Sequence, residues 1–368
     1  MDFTLDEVVV DVRDLARGLF ERRLTDQRLC EVESSASRVD GSLWSDLADA
    51  GLLGIGLPEA YGGARQGLDV LCAVLQEQGR VVAPVPLWPA YVAGLALAEY
   101  GSEAQRDAIL PGLADGSVRV TVAVEEFGRS EALLPSCTAR RRGNSWVLNG
   151  EKALVPGVVG ADWVVVAATT DTGSGLFLVP VAGSGITWER LETSAKDLAG
   201  NLILDEAPAT ALGSPGDGAL DALVENARLG IAAMQLGVAE SAVALAVTYL
   251  STRHQFGRPL ATFQAVQHQL ADCYIHIDAL RTCLWQAVEL RQNGRPSAAA
   301  VDIAKWWADD AGLKIVFTVV HIHGGIGVDV SYPVHRHFNW GKQLSGTLGG
   351  RSGDLARLGA RLAEGIAS

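Results

Sequence analysis

Apolar side chains recur at spacings of three and four from residue 3 to about 118, through VVVDVRDLARGLFERRL, LWSDLADAGLLGIGL and LDVLCAVLQEQGRVV, a period that predicts amphipathic helices. Breaks fall at Pro58, at the YGG of residues 61–63 and at the Pro84/Pro86 pair. Residues 1–118 are therefore expected to form an all-helical domain. Around residue 119 the period drops to two, in VRVTVAVEE, SWVLNGEKALV, ADWVVVAATT, GLFLVPV and GITWERL, with glycine and Asn-Gly turns between the runs. That alternation predicts a small antiparallel β domain over residues 119–212. Helical patterning returns after Asp217 with ALVENARLGIAAMQLGVAESAVALAVTYLSTR, whose small residues let helices approach closely and whose apolar surface is broad enough to need burial in a bundle. Further helices are expected at about 261–292 and about 297–322, with a shorter one at the end of the 213–368 region. Helices, then strands, then helices is an α+β order, not the alternating βαβ of a Rossmann sheet.

A chain of 368 residues with 48% hydrophobic and 20% charged side chains has the means to bury sizeable cores. The formal net charge is −13 and five of the thirty basic residues are lysine, so no basic stripe exists for a phosphate backbone and nucleic acid is not an expected partner. The five cysteines, Cys30, Cys72, Cys137, Cys273 and Cys283, are scattered and contain no CxxC pair, which argues for a reducing cytoplasm over a disulfide framework or a thiolate metal site. The N-terminus lacks the basic head and continuous apolar core of a signal peptide. No run approaches the roughly 20 apolar residues of a membrane span, so a soluble protein is expected.

Two stretches carry candidate chemistry. RHQFGRPLATFQAVQHQLAD, residues 253–272, joins two predicted helices with an arginine able to grip a phosphate bidentately and a phenylalanine able to cover a base, followed by Gln264, Gln267 and His268. The plain alternative is that Arg253 caps a helix C-terminus. HIHGGIGVDVSYPVHRHF, residues 321–338, puts Gly324 and Gly325 at a helix end, where the absence of a Cβ frees the backbone for a ligand or simply for a cap. All seven histidines lie after residue 250. Yet His321, His323, His335 and His337 are spaced by two within each pair, not by the i, i+4 interval of a helical metal site, and no metal is expected. There is no GxSxG elbow, P-loop or Cys/His nucleophile pattern.

Together these stretches resemble the flavin-dependent acyl-CoA dehydrogenase family over nearly the whole chain. LADAGLLGIGLPEAYGG is similar to the family's first-domain signature, residues 253–272 to its RxxFGxxxxxFQ stretch, and residues 321–338 to its Q-x-x-GGxG…P-x-x-R segment. The resemblance implies a helical domain, a β-barrel-like domain and a C-terminal four-helix bundle, with FAD bound between subunits. It further implies that Arg253 and Phe256 reach the adenosine and pyrophosphate half of a neighbouring subunit's FAD, with Gln264, His321, Gly324 and Gly325 lining the same half. The implied reaction removes the α-proton of an acyl-CoA with a carboxylate and passes the β-hydride to the flavin, from which an electron-transfer acceptor takes the electrons.

The sequence departs from that pattern at the base. Where most of the family carries a glutamate, this chain reads SGTLGGRSGD with Leu348, 24 residues after Gly324; where a minority carry one before an arginine, Ala227 precedes Arg228. The stretches expected beside the flavin ring also differ, reading VAVEEFGRS and ALVPGVVGAD. Glu225, Glu125 and Glu126 are the substitutes to weigh, although Glu225 is turned about 200° from Ala227 on a helix. No catalytic residue is assigned. The expected role is the base-lacking subunit of a heteromeric acyl-CoA dehydrogenase, similar to subunits with a Thr-Leu-Gly-Gly stretch in α2β2 enzymes of actinobacterial steroid catabolism. The alternatives are a homo-oligomeric dehydrogenase with a displaced base, a non-catalytic acyl-CoA-binding scaffold, and an oxidase relative.

Overall fold

A computed structural model describes residues 5–129, 131–143, 145–363 and 365. Among the described residues six α-helices come first: α1 (Glu7–Arg23), α2 (Asp26–Glu33), α3 (Gly41–Asp49), α4 (Leu68–Arg80), α5 (Leu87–Tyr100) and α6 (Glu103–Ala114). Seven strands follow: β1 (Val120–Ala123), β2 (Thr138–Arg142), β3 (Ser145–Pro156), β4 (Trp163–Thr170), β5 (Gly173–Pro180), β6 (Ile186–Glu192) and β7 (Leu198–Leu212). Then come α7 (Ala219–Thr252), a hairpin of β8 (His254–Gln255) and β9 (Arg258–Pro259), α8 (Gln264–Gln292), α9 (Ala298–His323), α10 (Val334–Leu344) and α11 (Gly350–Ala363). The described residues fall into two compact units, one of residues 27–71 and 84–227, the other of residues up to 26, 72–83 and 228 onward.

In the first unit β4, β2, β3, β7 and β5 pair in a ring, with β1 beside β4 and β6 beside β7. Most pairings are antiparallel, but β1 runs parallel to β4, as does the single contact of β2 with β4. The interior is filled by alternate residues such as Val164, Val166 and Phe177 from β4 and β5, and Leu202 and Leu204 from β7. Two of these strands carry no clean period-two signal. TARRR in β2 buries one residue of five, and β7 is interrupted by Glu206, at φ +51, and by Pro208. Against β1 packs α5, apolar around its whole circumference and correspondingly buried. Ser102 and Gln105 form a capping box that starts α6.

Two buried carboxylates hold this unit's loops. Asp40 caps α3 through the Leu43 N–H and takes both nitrogens of the Arg28 fork at 2.8 and 2.7 Å. Glu126 accepts from Lys152 Nζ at 2.7 Å, from the Ser136 hydroxyl and from the Cys137 N–H. Burial alone would push both carboxyls up, yet Arg28 with Ser42, and Lys152 with Ser136, hold them down at about 2. A group whose pKa is depressed on folding stabilises above its unfolded value and loses that contribution as pH falls through the folded one. Stability should therefore drop between about pH 4.5 and 2, by roughly 2–3 kcal/mol for each group. Melting temperature followed through that range checks this, and Glu126→Gln should flatten its share of the slope.

The second unit is helical. There α4 and α7 approach so closely that a Cβ on Gly79 would lie 2.0 Å from the Met234 carbonyl oxygen, and one on Gly237 1.9 Å from that of Gln76. Helix α9 packs against α8, α10 and α11. The sequence predicts one short helix after α9; two are present, because the SYP segment and the glycines around residue 349 divide that stretch. Helix α7 and the stretch Ala298–Val328 are long and apolar enough in composition to cross a membrane, contrary to the expectation that no run approaches that length. Small residues make up much of α7, and its most apolar stretch is mostly buried within the protein. The second stretch bears an ionic cluster inside the bundle.

Asp302 and Lys305 are fully buried, and Arg228 is 1% exposed. Asp302 accepts from Arg228 of α7 at 3.1 Å and from Arg357 and Arg361 of α11 at 3.3 and 2.8 Å, so three helices share one carboxylate. One turn on, Lys305 Nζ lies 2.6 Å from both oxygens of Asp309. Burial and the neighbouring Asp354 push the Asp309 carboxyl upward against the pull of Lys305.

Candidate functional site

The Arg253 N–H donates to the Tyr249 carbonyl at 2.9 Å, the last helical bond of α7, and the chain then turns through the β8–β9 hairpin. Its two loop residues, Phe256 at φ +53 and Gly257 at φ +79, both have the positive φ of a type I′ turn. Glycine adopts that conformation freely, whereas a bulky phenylalanine is strained in it. Phe256 is nonetheless 89% exposed, its ring in a T-shaped contact with Phe263 at a centroid distance of 6.0 Å. Arg258 lies over the Phe263 ring at 4.1 Å, which anchors the base of the hairpin. A strained, solvent-facing aromatic at a hairpin tip is what a ligand contact requires and what stability alone would remove.

Gln264 is the first residue of α8, exposed, on a helix end that no side chain caps. An uncapped N-terminus presents free N–H groups and the positive end of the helix dipole. Arg253 is exposed, and among the described residues its guanidinium has no hydrogen-bond or ion-pair partner.

At the end of α9, Gly324 takes φ +69 and ψ −145, a conformation essentially restricted to glycine, and its N–H returns to the His321 carbonyl. A Cβ on Gly324 or Gly325 would meet nothing within 4 Å. Crowding inside the chain therefore does not explain the bareness of Gly325. His321 is exposed in the last turn of α9. An aromatic contact joins the two motifs: Tyr249 stacks on His323 at 4.8 Å, bringing the end of α7, and so Arg253, beside the end of α9, and so Gly324. The sequence offers His323 only as a candidate metal ligand and gives no sign of its contact with Tyr249, because their meeting depends on where two distant helices stop. A free cation, an uncapped helix end, a displayed ring and a bare glycine backbone fit the diphosphate and base of a dinucleotide.

The carboxylates weighed as substitute bases fare differently. Glu126 is not available as a base: its oxygens are taken up by Lys152, Ser136 and Cys137, which hold it ionised far below neutrality. Glu125 and Glu225 are half-buried, each with a partner of its own. Ala227 is fully buried. Leu348 is also buried, 1% exposed, in the left-handed region at φ +61 between α10 and α11. Of the four histidines after residue 320, His323 and His337 are buried, and His337 Nε2 sits 3.1 Å from the Ser241 hydroxyl. Among the described residues no group of three His, Cys, Asp or Glu side chains is placed to hold a metal.

The chain belongs to the acyl-CoA dehydrogenase family, whose members are FAD-dependent oxidoreductases acting on acyl-CoA: its residues 7–117 match the family profile "Acyl-CoA dehydrogenase, N-terminal domain" and residues 217–353 the profile "Acyl-CoA dehydrogenase, C-terminal domain". It is 35% identical to the acyl-CoA dehydrogenase FadE27 of Mycobacterium tuberculosis over 99% of each chain. Among solved structures it is similar to a variant of the Tcur3481-Tcur3483 steroid ACAD, with 56% identity, a TM-score of 0.96, and coverage of 99% of this chain and 100% of that one. The ChsE4-ChsE5 complex of Mycobacterium tuberculosis matches at 35% identity, a TM-score of 0.94 and 99% coverage of both chains.

Replacing Phe256 with glycine tests the reading of the hairpin. The change should relieve the turn and stabilise the hairpin by up to about 1 kcal/mol while weakening cofactor binding about tenfold. Thermal melting and FAD titration, moving in opposite directions, check it.

Proposed function

We propose that this chain is the base-lacking subunit of a heteromeric, FAD-dependent acyl-CoA dehydrogenase that acts on a steroid-derived acyl-CoA in the cytoplasm. Leu348 carries the proposal: a buried leucine, held in the left-handed region, stands where the resemblance calls for a carboxylate. A buried alanine at position 227 occupies the other expected place. Further support comes from the relatives whose printed names pair two chains, Tcur3481-Tcur3483 and ChsE4-ChsE5, one of them called a steroid ACAD. Five free thiols among the described residues suit a reducing compartment.

In this reading Arg253 and the open end of α8 receive the pyrophosphate, Phe256 covers the adenine, and Gln264, His321 and the Gly324–Gly325 backbone line the same half of the cofactor. FAD, when bound, supplies the hydride acceptor for the β-carbon. The α-proton goes to a carboxylate of the sister subunit, and an electron-transfer acceptor then receives the electrons. The chain's own work is to hold and orient the dinucleotide, a term that contributes through positioning and not through proton transfer.

The test is anaerobic flavin bleaching. The chain alone, supplied with FAD and a steroid-derived acyl-CoA, should leave the flavin oxidised, and the complex isolated through a tag on this chain should bleach it. Bleaching by the chain alone would place a working base within it, and Glu225 would be the first residue to replace.

A further inference from the structure

His323 is 4% exposed, and its ring packs with two tyrosines in a three-ring cluster. It stacks on Tyr249 at 4.8 Å with 17° between the planes, and its centroid is 5.5 Å from that of Tyr332, which meets Tyr249 edge-on at 6.0 Å. The Nδ1 atom is 2.7 Å from the Val319 carbonyl oxygen. A carbonyl can only accept, so Nδ1 carries the hydrogen and Nε2 the lone pair. Nε2 is buried with no hydrogen-bond partner among the described residues. The ring is thus fixed in one tautomer and one orientation by the helix that bears it, and a second proton would be a buried charge without a counter-ion.

Each ring of the cluster is tied directly to a part of the proposed dinucleotide clasp formed by Arg253, Phe256, the open end of α8 and the Gly324–Gly325 backbone. The Tyr249 carbonyl accepts the Arg253 N–H, Gly324 follows His323 in the chain, and Tyr332 ends the segment that returns from the Gly324–Val328 turn to α10.

We propose that His323, acting through Tyr249, is a positioning residue for the cofactor clasp: the neutral imidazole sets the spacing between the Arg253 guanidinium and the bare Gly324–Gly325 backbone. The inference rests on the reading of these residues as a dinucleotide clasp. A leucine at 323 would fill similar space but offer no flat face to Tyr249, whereas a phenylalanine would restore the face without the Nδ1 hydrogen bond.

The experiment is a double-mutant cycle on FAD affinity, measured by titrating FAD into the deflavinated complex isolated through a tag on this chain. His323→Leu is expected to weaken FAD at least tenfold and His323→Phe less than threefold, with unchanged melting of the flavin-free protein. In an Arg253→Ala background His323→Leu should add little, because the loss it causes is the loss of Arg253's placement. Tyr332→Leu, at the more exposed side of the stack, repeats the cycle if His323→Leu does not fold. Full additivity with Arg253→Ala, or His323→Leu binding FAD like the unaltered protein while Arg253→Ala does not, overturns the positioning role and leaves the clasp standing. An Arg253→Ala complex with undiminished FAD affinity overturns the clasp reading, and the positioning role with it.

Discussion

Arg253→Ala should weaken FAD binding by about 100-fold, the largest functional effect expected of any single replacement in this chain. A guanidinium facing a diphosphate makes charge-assisted, bidentate hydrogen bonds, and losing such a pair removes about 2–4 kcal/mol. Arg253 is exposed and has no competing partner among the described residues, so nothing in the folded chain compensates for its removal and nothing in the fold depends on it. The variant should therefore melt like the unaltered protein. Arg253→Lys should recover part of the affinity, because an ammonium supplies the charge but not the planar fork. Flavin content after gel filtration, together with an FAD titration, reads the effect; retention of flavin by Arg253→Ala would mean that the arginine only caps α7.

The largest effect on stability belongs to Asp302→Ala. That carboxylate is shared by Arg228, Arg357 and Arg361, which reach it from α7 and α11, and it is fully buried. Removing one partner from a buried ionic group leaves charge stranded in a medium that solvates it poorly, at about 3–5 kcal/mol. Asp302→Asn, which keeps the shape and one acceptor oxygen, should fall between the two. Chemical denaturation of the three proteins checks the order, and an alanine variant within about 1 kcal/mol of the parent would show that water reaches the cluster.

The helical regions are legible in the sequence where one face is apolar and the other polar, as in α1 and α4, and the strands β4 and β5 as short apolar runs buried on both faces. Legibility fails where pattern and burial part company. The short strand TARRR is nearly all polar, and β7, the longest strand, is broken by a left-handed glutamate and a proline, so neither showed a period of two. The ionic cluster leaves a signal in the sequence. Asp302, Lys305 and Asp309, at spacings of three and four within a largely apolar helix, place charges on one face, which reads as a solvated stripe unless another helix is known to cover it.

At the candidate site the motif residues were readable individually, and the hairpin could have been inferred from the two residues between Gln255 and Arg258. The strain at Phe256 and the stacking of His323 on Tyr249 could not, since both are facts of backbone conformation and of contact between distant segments. Glu126 looked like a spare carboxylate beside the expected flavin stretch. Its tie to Lys152, 26 residues away on β3, is what removes it from that role.

On the proposed function this chain contributes a clasp to a flavin site completed by a sister subunit. The ratio of FAD to polypeptide tests it most directly, measured on the chain purified alone and on the complex it forms with its partner. Essentially no flavin is expected in the chain alone, and about one FAD for each pair of unlike subunits in the complex. One FAD for each copy of this chain, purified without any partner, would contradict it.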